Sequence, residues 1–187
     1  MGRLWGWMVI LLITTGIPAP VKALADELSD TTGWQRVDSR YCTFWIEPGI
    51  EVEKINDRIN VRGIRTRFKV PKDSTNESQL AAKCDILFRR AEEILDMYPA
   101  GIHISIKVFK DHKKIARIHE KEYGRSVEAI AFYLFQTNTV YAVAKKISED
   151  VLIHEMGHSI IDHYFGVRPP RKIEELLAMH VDAVMRE

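Results

Sequence analysis

The residues with the clearest chemistry are at 154–158, where the chain reads His-Glu-Met-Gly-His inside the apolar run 151–161. On a helix, residues four positions apart lie one above the other, so His154 and His158 can offer two imidazole nitrogens to one metal ion. Glu155 would lie about 100° around that helix, close to the metal and free to act on a water molecule. A catalytic zinc site requires these groups, one further ligand and an open position for water. The motif therefore predicts a zinc-dependent hydrolase, and the alternative is two histidines in a satisfied helix core.

Spacing excludes several sources of a third ligand. A metzincin-type site needs Gly three residues and His six residues after the second His, where this chain has Ile161 and Tyr164. His163 points well away from the face of the two histidines, and Asp162 lies in the same helix, where it cannot wrap around the metal. Asp182 lies about 10 Å beyond the expected ligand position along a following helix.

A glutamate from the following helix fits better. Along the motif helix, Phe165 would lie about 10 Å from His158. After a turn at 166–170, a returning helix would run back roughly 8 Å by Glu175, which brings Glu175 nearly level with His158. Glu174 reaches nearly the same height but points about 100° away, so only one of the two can bind. The spacing leaves both glutamates open.

The histidine motif and the stretch 175–182 together resemble the gluzincins, and more closely the small bacterial peptidase MA-like proteins. The second motif of that family reads Glu-Gly-Leu-Ala, with the Glu as a metal ligand. Matching its Leu-Ala to positions 177–178 implies that Glu175 is the third ligand, while Leu176 stands where the family has Gly. The resemblance covers roughly residues 77–187.

The resemblance implies an α+β, zincin-like fold with a mixed or antiparallel sheet, in which the motif helix is followed by a ligand-bearing helix. It also implies a zinc metallopeptidase, in which His154, His158 and Glu175 hold Zn²⁺ and Glu155 is the general base. Asp182 is a candidate acceptor for the N–H of a ligand imidazole, and its alternative role is that of an exposed helix carboxylate. The alternative function is a secreted zincin-like domain that binds a partner without catalysis, with or without the metal.

Two further expectations concern substrate and transition state. The strand predicted at 139–144 would present an edge to an extended peptide, by analogy with zincin edge strands. Oxyanion stabilisation would need a Tyr or a His, and the candidates are Tyr133, Tyr141, Tyr164 and His180.

The first 25 residues have a basic start, a short apolar run and an Ala-x-Ala site, which together describe a secretory signal peptide. Because the apolar run is too short for a comfortable membrane span, we expect cleavage directly after that site. The alternative is an uncleaved N-terminal anchor. Residues 26–187 would then be a single domain exported to the bacterial periplasm or the extracellular space. In an oxidising compartment, Cys42 and Cys84 are expected to form a disulfide, and the alternative is two buried thiols.

Charge excludes two classes of partner. The 187 residues include 27 basic and 26 acidic ones. Removal of the signal peptide, which contains Arg3 and Lys22 but no acid, leaves one more acidic than basic residue. Without a one-signed field, nothing favours nucleic acid or an anionic membrane. We expect a monomer that acts on a peptide or protein substrate and has no stable membrane span after cleavage.

Periodicity predicts the elements that position the motif. Residues 26–40 read as an extended lead-in, and Ser148 is expected to cap the motif helix. Strands are predicted at 41–46, 62–70, 102–109, 127–133 and 139–144, and helices at 50–59, 77–98, 111–123, 149–165 and 171–185.

Two predicted helices carry testable burial patterns. In helix 111–123, Ile115 and Ile118 should face inward, whereas His112 and His119 should lie on the surface. The last helix should bury one apolar stripe, formed by Ile173, Leu176, Leu177, His180, Val181 and Val184.

Overall fold

The computed structural model describes residues 30–185, apart from 66, 68, 73 and 125–129. The predicted signal peptide, the beginning of the predicted lead-in and residues 127–129 of a predicted strand lie outside the described residues. Residues 33–187 form one compact unit, described below; of the preceding unit only residues 30–32 are described.

Five described strands form one mixed sheet in the order β1-β2-β3-β5-β4. The neighbours β2, β3 and β5 are parallel, while β1 and β4 are the antiparallel outer strands. Together with the helices this is an α+β fold with a mixed sheet, as predicted. The strands are β1 (Gln35–Asp38), β2 (Cys42–Ile46), β3 (Ile104–Phe109), β4 (Ala131–Leu134) and β5 (Thr139–Val143).

Two strand predictions were wrong. Strand β1 lies in the segment that was expected to be an extended lead-in. The sequence did not indicate a strand there, because only Val37 of its four residues is buried and an apolar alternation is therefore absent. At 62–70 no described residue belongs to a strand. Ile64 is nevertheless buried in the core, and Val70 packs against it, so these two side chains reach the core from outside any strand.

The described residues include five α-helices, and each overlaps a predicted one. Ser148 accepts a hydrogen bond from the N–H of Val151, which confirms the predicted cap. No helix in the described ranges is both long and apolar enough to cross a membrane. The helices are α1 (Val52–Arg58), α2 (Asn76–Leu95), α3 (His112–Tyr123), α4 (Glu149–Tyr164) and α5 (Arg171–Val184).

Helices pack on both faces of the sheet. Alternation along the strands directs one set of side chains, such as Phe44, Ile106 and Val140, into the main core with α1, α2 and α4. Helix α3 contacts β3 and β5, and its His119 packs edge-on against Phe132 of β4. Helices on both faces of the sheet therefore contact the outer strand β4.

The predicted disulfide is present between Cys42 of β2 and Cys84 of α2. Both residues are fully buried in the main core. The bridge joins the sheet to α2, its longest covering helix. It lies on β2, which is not a neighbour of the outer strand β4.

The predicted buried stripe of α5 was right in part: Leu177 packs against the core and Val184 is half-buried. Val181 is buried, but Ile173, Leu176 and His180 are exposed. The buried face is formed by Glu174, Ala178 and Val181, which lies about one residue, or roughly 100°, around the helix from the expected stripe.

Candidate metal centre

Helix α4 brings the two motif histidines together, because residues four apart share a face. The Nε2 atoms of His154 and His158 lie 3.2 Å apart. Both side chains are mostly buried, with 21% and 17% exposure. Burial, and then the neighbouring His154, lower the pKa of His158 to about 4, which keeps its imidazole neutral and able to bind a metal.

Glu175 reaches the same point from α5. Its two carboxylate oxygens lie 3.6 Å from His154 Nε2 and 3.6 Å from His158 Nε2 respectively. Ligand atoms bound to tetrahedral zinc at about 2.0–2.2 Å lie roughly 3.3–3.6 Å apart. The three groups therefore have the donor types and the spacing that zinc requires, and they are the one potential metal-binding group of three among the described residues.

Asp182 fixes the orientation of one of these histidines. Its Oδ2 lies 2.9 Å from Nδ1 of His154. A carboxylate at that nitrogen favours the tautomer with the proton on Nδ1, which leaves the Nε2 lone pair for a metal. Asp182 thus lies in the position expected of a supporting acceptor, and not in that of a ligand.

Glu155 lies on the inner side of α4, where 9% of the residue is exposed. Burial raises the pKa of its carboxyl to about 7, although nearby His154 and a hydrogen bond from the Tyr133 backbone N–H oppose the shift. A carboxyl group with a pKa in this range can both accept and return a proton near neutral pH.

A cleft of about 470 Å³ opens over these groups. Helix α3, strand β4, helix α4 and the start of α5 all contribute to its walls. The lining residues are His119, Tyr123, Ala131, Phe132, Tyr133, His154, Glu155, His158, Arg168, Pro169, Arg171, Glu174 and Glu175.

The expected surface position of His119 was wrong, since His119 is 6% exposed and lies at the cleft. The rings of His119 and Tyr123 pack against each other, with centroids 4.6 Å apart and planes tilted by 39°. The Tyr123 hydroxyl donates to the backbone carbonyl oxygen of Tyr133. Neither residue was a candidate for the site from the sequence. Their four-residue spacing predicts that they share one face of a helix, but it does not indicate which side of the sheet that helix covers.

Of the four residues considered for oxyanion stabilisation, only Tyr133 lines the cleft. Its hydroxyl donates to the side chain of Asn138 instead. Tyr141 is buried between Phe109 and Phe132, and Tyr164 and His180 are exposed and outside the lining.

The substrate-edge prediction was also wrong, because β5 lies between β3 and β4 and has no free edge. Among the described strands, the outer edge beside the cleft belongs to β4. The Val143 N–H donates to the Ile130 carbonyl oxygen, so the alternation of an antiparallel ladder points the backbone groups of Ala131 and Tyr133 outward. Ala131 and Tyr133 both line the cleft, but the backbone groups of Tyr133 already bond to Glu155 and Tyr123, so the edge offers those of Ala131.

Glu174 lies against Arg168 and not against the histidines. Arg168 donates to both carboxylate oxygens of Glu174, from Nε at 2.7 Å and from a terminal nitrogen at 3.1 Å. Asp162 Oδ1 lies 3.0 Å from the same Nε. Burial, with Glu174 beside it and Arg168 opposing, raises the pKa of Asp162 to about 6.

No protein-family model matches this chain, and no curated protein or solved structure matches it. Its function must therefore be argued from the site.

Proposed function

We propose that this protein is a zinc-dependent metallopeptidase with a zincin-like site of the gluzincin type. The observation that carries the proposal is the convergence of three potential metal ligands, on His154, His158 and Glu175, beside the buried carboxyl of Glu155. Metal binding alone does not need Glu155, and a carboxyl whose pKa is raised to about 7 by burial in a cleft is a candidate for a functional role.

Each residue has a definite task in this proposal. When bound, Zn²⁺ supplies Lewis acidity, which lowers the pKa of a water and polarises the scissile carbonyl. His154, His158 and Glu175 hold the ion, and Asp182 keeps His154 in the tautomer that exposes Nε2. Glu155 takes a proton from the attacking water and passes it to the leaving amine.

The substrate would be an extended peptide in the cleft. Strand β4 offers it the outward backbone groups of Ala131, which lie beside Glu155 in the lining. His119 is the side chain we propose for stabilising the oxyanion, because it lies in the cleft wall and its imidazole ring can donate a hydrogen bond.

The proposal includes export as a single-domain monomer. It is supported by the composition of residues 1–25 and by the Cys42–Cys84 disulfide, which is typical of oxidising compartments. Sequencing the N-terminus of protein recovered from the periplasm or medium should find a chain that begins at Asp26.

The deciding experiment measures metal content and turnover together. Wild-type protein should bind one zinc ion and cleave unfolded casein-like or peptide substrates, and a chelator should abolish turnover reversibly. Glu155→Gln should keep the zinc and lose turnover by orders of magnitude. Zinc binding without turnover in the wild type would instead favour the non-catalytic binding domain, and the absence of zinc binding would reject the metal site.

A further inference from the structure

We infer that Asp162, Arg168 and Glu174 form a clamp that sets the rotation of α5, and so decides that Glu175, and not Glu174, meets the two histidines. The inference rests on the metal site proposed above and adds three residues that do not touch the metal. It assigns them a positioning role.

The clamp joins the three segments that build this side of the site. Asp162 belongs to α4, Arg168 to the connection between the helices, and Glu174 to the first turns of α5. The carboxylates are almost completely buried, with 1% and 4% side-chain exposure, whereas Arg168 is 48% exposed. The paired contacts of Arg168 with Glu174 leave that carboxylate only one orientation.

A planar guanidinium bound at both oxygens restricts rotation as well as distance. Arg168 also lies over the ring of Phe135, at 5.2 Å from its centroid, which holds the guanidinium from its other side. Rotation of α5 about its axis would pull Glu174 out of this arrangement and leave two buried carboxylates without their cation, an unfavourable state.

Without the clamp, the apolar pattern of α5 favours a different rotation. Ile173 and Leu176 are exposed, with 45% and 53% exposure, and burying them would require a turn of roughly 100°. One residue of a helix also corresponds to about 100°, so that turn would move Glu174 towards the direction that Glu175 occupies. The observed rotation therefore runs against the hydrophobic preference of the helix and agrees with the Arg168–Glu174 pair.

The test compares zinc affinity in Arg168→Ala, Arg168→Lys and Glu174→Gln, with Lys172→Ala as a control. Lys172 is an exposed cation in the same first turn of α5 and lies outside the cleft. Arg168→Ala and Glu174→Gln should weaken zinc binding about 10–100-fold, as loss of an outer partner usually does. Arg168→Lys should recover part of the loss, and Lys172→Ala should bind zinc like the wild type.

Cobalt substitution separates positioning from general destabilisation. The visible spectrum of the Co²⁺ protein reports the ligand geometry, and it should change in Arg168→Ala and Glu174→Gln but not in Lys172→Ala. If Arg168→Ala fails to fold, the zinc affinity and cobalt spectrum of Glu174→Gln, which keeps the side-chain shape, decide the test. Wild-type zinc affinity and an unchanged cobalt spectrum in the clamp variants would overturn the inference.

A metal-free measurement distinguishes failure of the clamp from failure of the proposed function. In the presence of a chelator, backbone amides at 171–178 should exchange hydrogen faster in Arg168→Ala than in Lys172→Ala. Equal exchange would reject the clamp even if zinc binds. Faster exchange in a protein that binds no zinc would reject the metallopeptidase and retain the clamp as the element that sets α5.

Discussion

Helices α4 and α5 supply the two halves of the proposed metal centre, but they reach it in different ways. Ten of the sixteen residues of α4 are buried, whereas α5 buries only Glu174, Ala178 and Val181 along its fourteen residues. The histidines of α4 converge because of helical spacing alone, so their geometry is a local property. Glu175 converges only if α5 docks at one rotation, which makes its geometry a property of the tertiary fold. Substitutions in α4 should therefore act on the ligands directly, and substitutions in α5 should act largely through docking.

The largest effect is expected from the histidines of α4. His154→Ala or His158→Ala removes one of the two imidazole ligands proposed for zinc, and zinc affinity should fall by several orders of magnitude. Titration with a competing chelator measures the loss. His163→Ala is the matched control, since His163 belongs to the same helix but bonds to the Ser159 carbonyl. A comparable loss in this control would mean that α4 itself, and not the ligand pair, had been damaged.

Glu175→Ala should have the next largest effect. It removes the carboxylate ligand, so the loss in zinc affinity should exceed the roughly 10–100-fold typical of outer partners. The alignment by family resemblance alone would leave Glu174→Ala near wild type, but the buried pair with Arg168 predicts an intermediate loss. The same titration orders the two variants. A greater loss in Glu174→Ala than in Glu175→Ala would show that the ligand assignment is off by one residue.

A smaller effect is expected at Asp182, the other residue through which α5 acts on the site. Asp182→Ala removes the acceptor at His154 Nδ1, and zinc affinity should fall about tenfold, at the lower end for such partners because the carboxylate is 40% exposed. Asp182→Asn keeps an acceptor oxygen and should lose less. Equal losses in the two variants would indicate that charge, and not the hydrogen bond, is what His154 requires.

The smallest effect is expected where the two helices touch. A methyl group at Gly157 would lie 3.6–3.9 Å from Val181 and Ala178, which is ordinary contact. Gly157→Ala should therefore keep zinc affinity and raise stability by up to about 1 kcal/mol, through helix propensity. Thermal unfolding in chelator measures it. Gly157→Leu is the contrast, because its larger side chain should push α5 away and weaken zinc; unchanged affinity in that variant would show that docking matters less than proposed.

What the sequence predicted follows the same division. The common helix face of His154 and His158 could be predicted from spacing, and the helix ends and the disulfide from caps and cysteine count. The rotation of α5 could not be predicted in this way. Ile173 and Leu176 indicate a buried stripe, but both are exposed in the rotation at which Glu174 pairs with Arg168. Strand order was equally hidden: nothing local distinguishes an inner β5 from an outer β4. For that reason the substrate edge was assigned to the wrong strand, and the cleft residues of α3 were missed.

The outer strand β4 also bears on how the protein avoids self-association. A free strand edge is a template on which a second copy can add a strand, and proteins usually block such edges. Here Tyr133 is blocked from within, since Glu155 accepts its N–H and Tyr123 donates to its carbonyl oxygen. The four-residue strand is thereby reduced to a short stretch around Ala131 that could still pair outward. An edge of that length is too short to support growth of an intermolecular sheet, yet it lines the same cleft as His154, His158 and Glu175, where it offers a site for a single pairing partner.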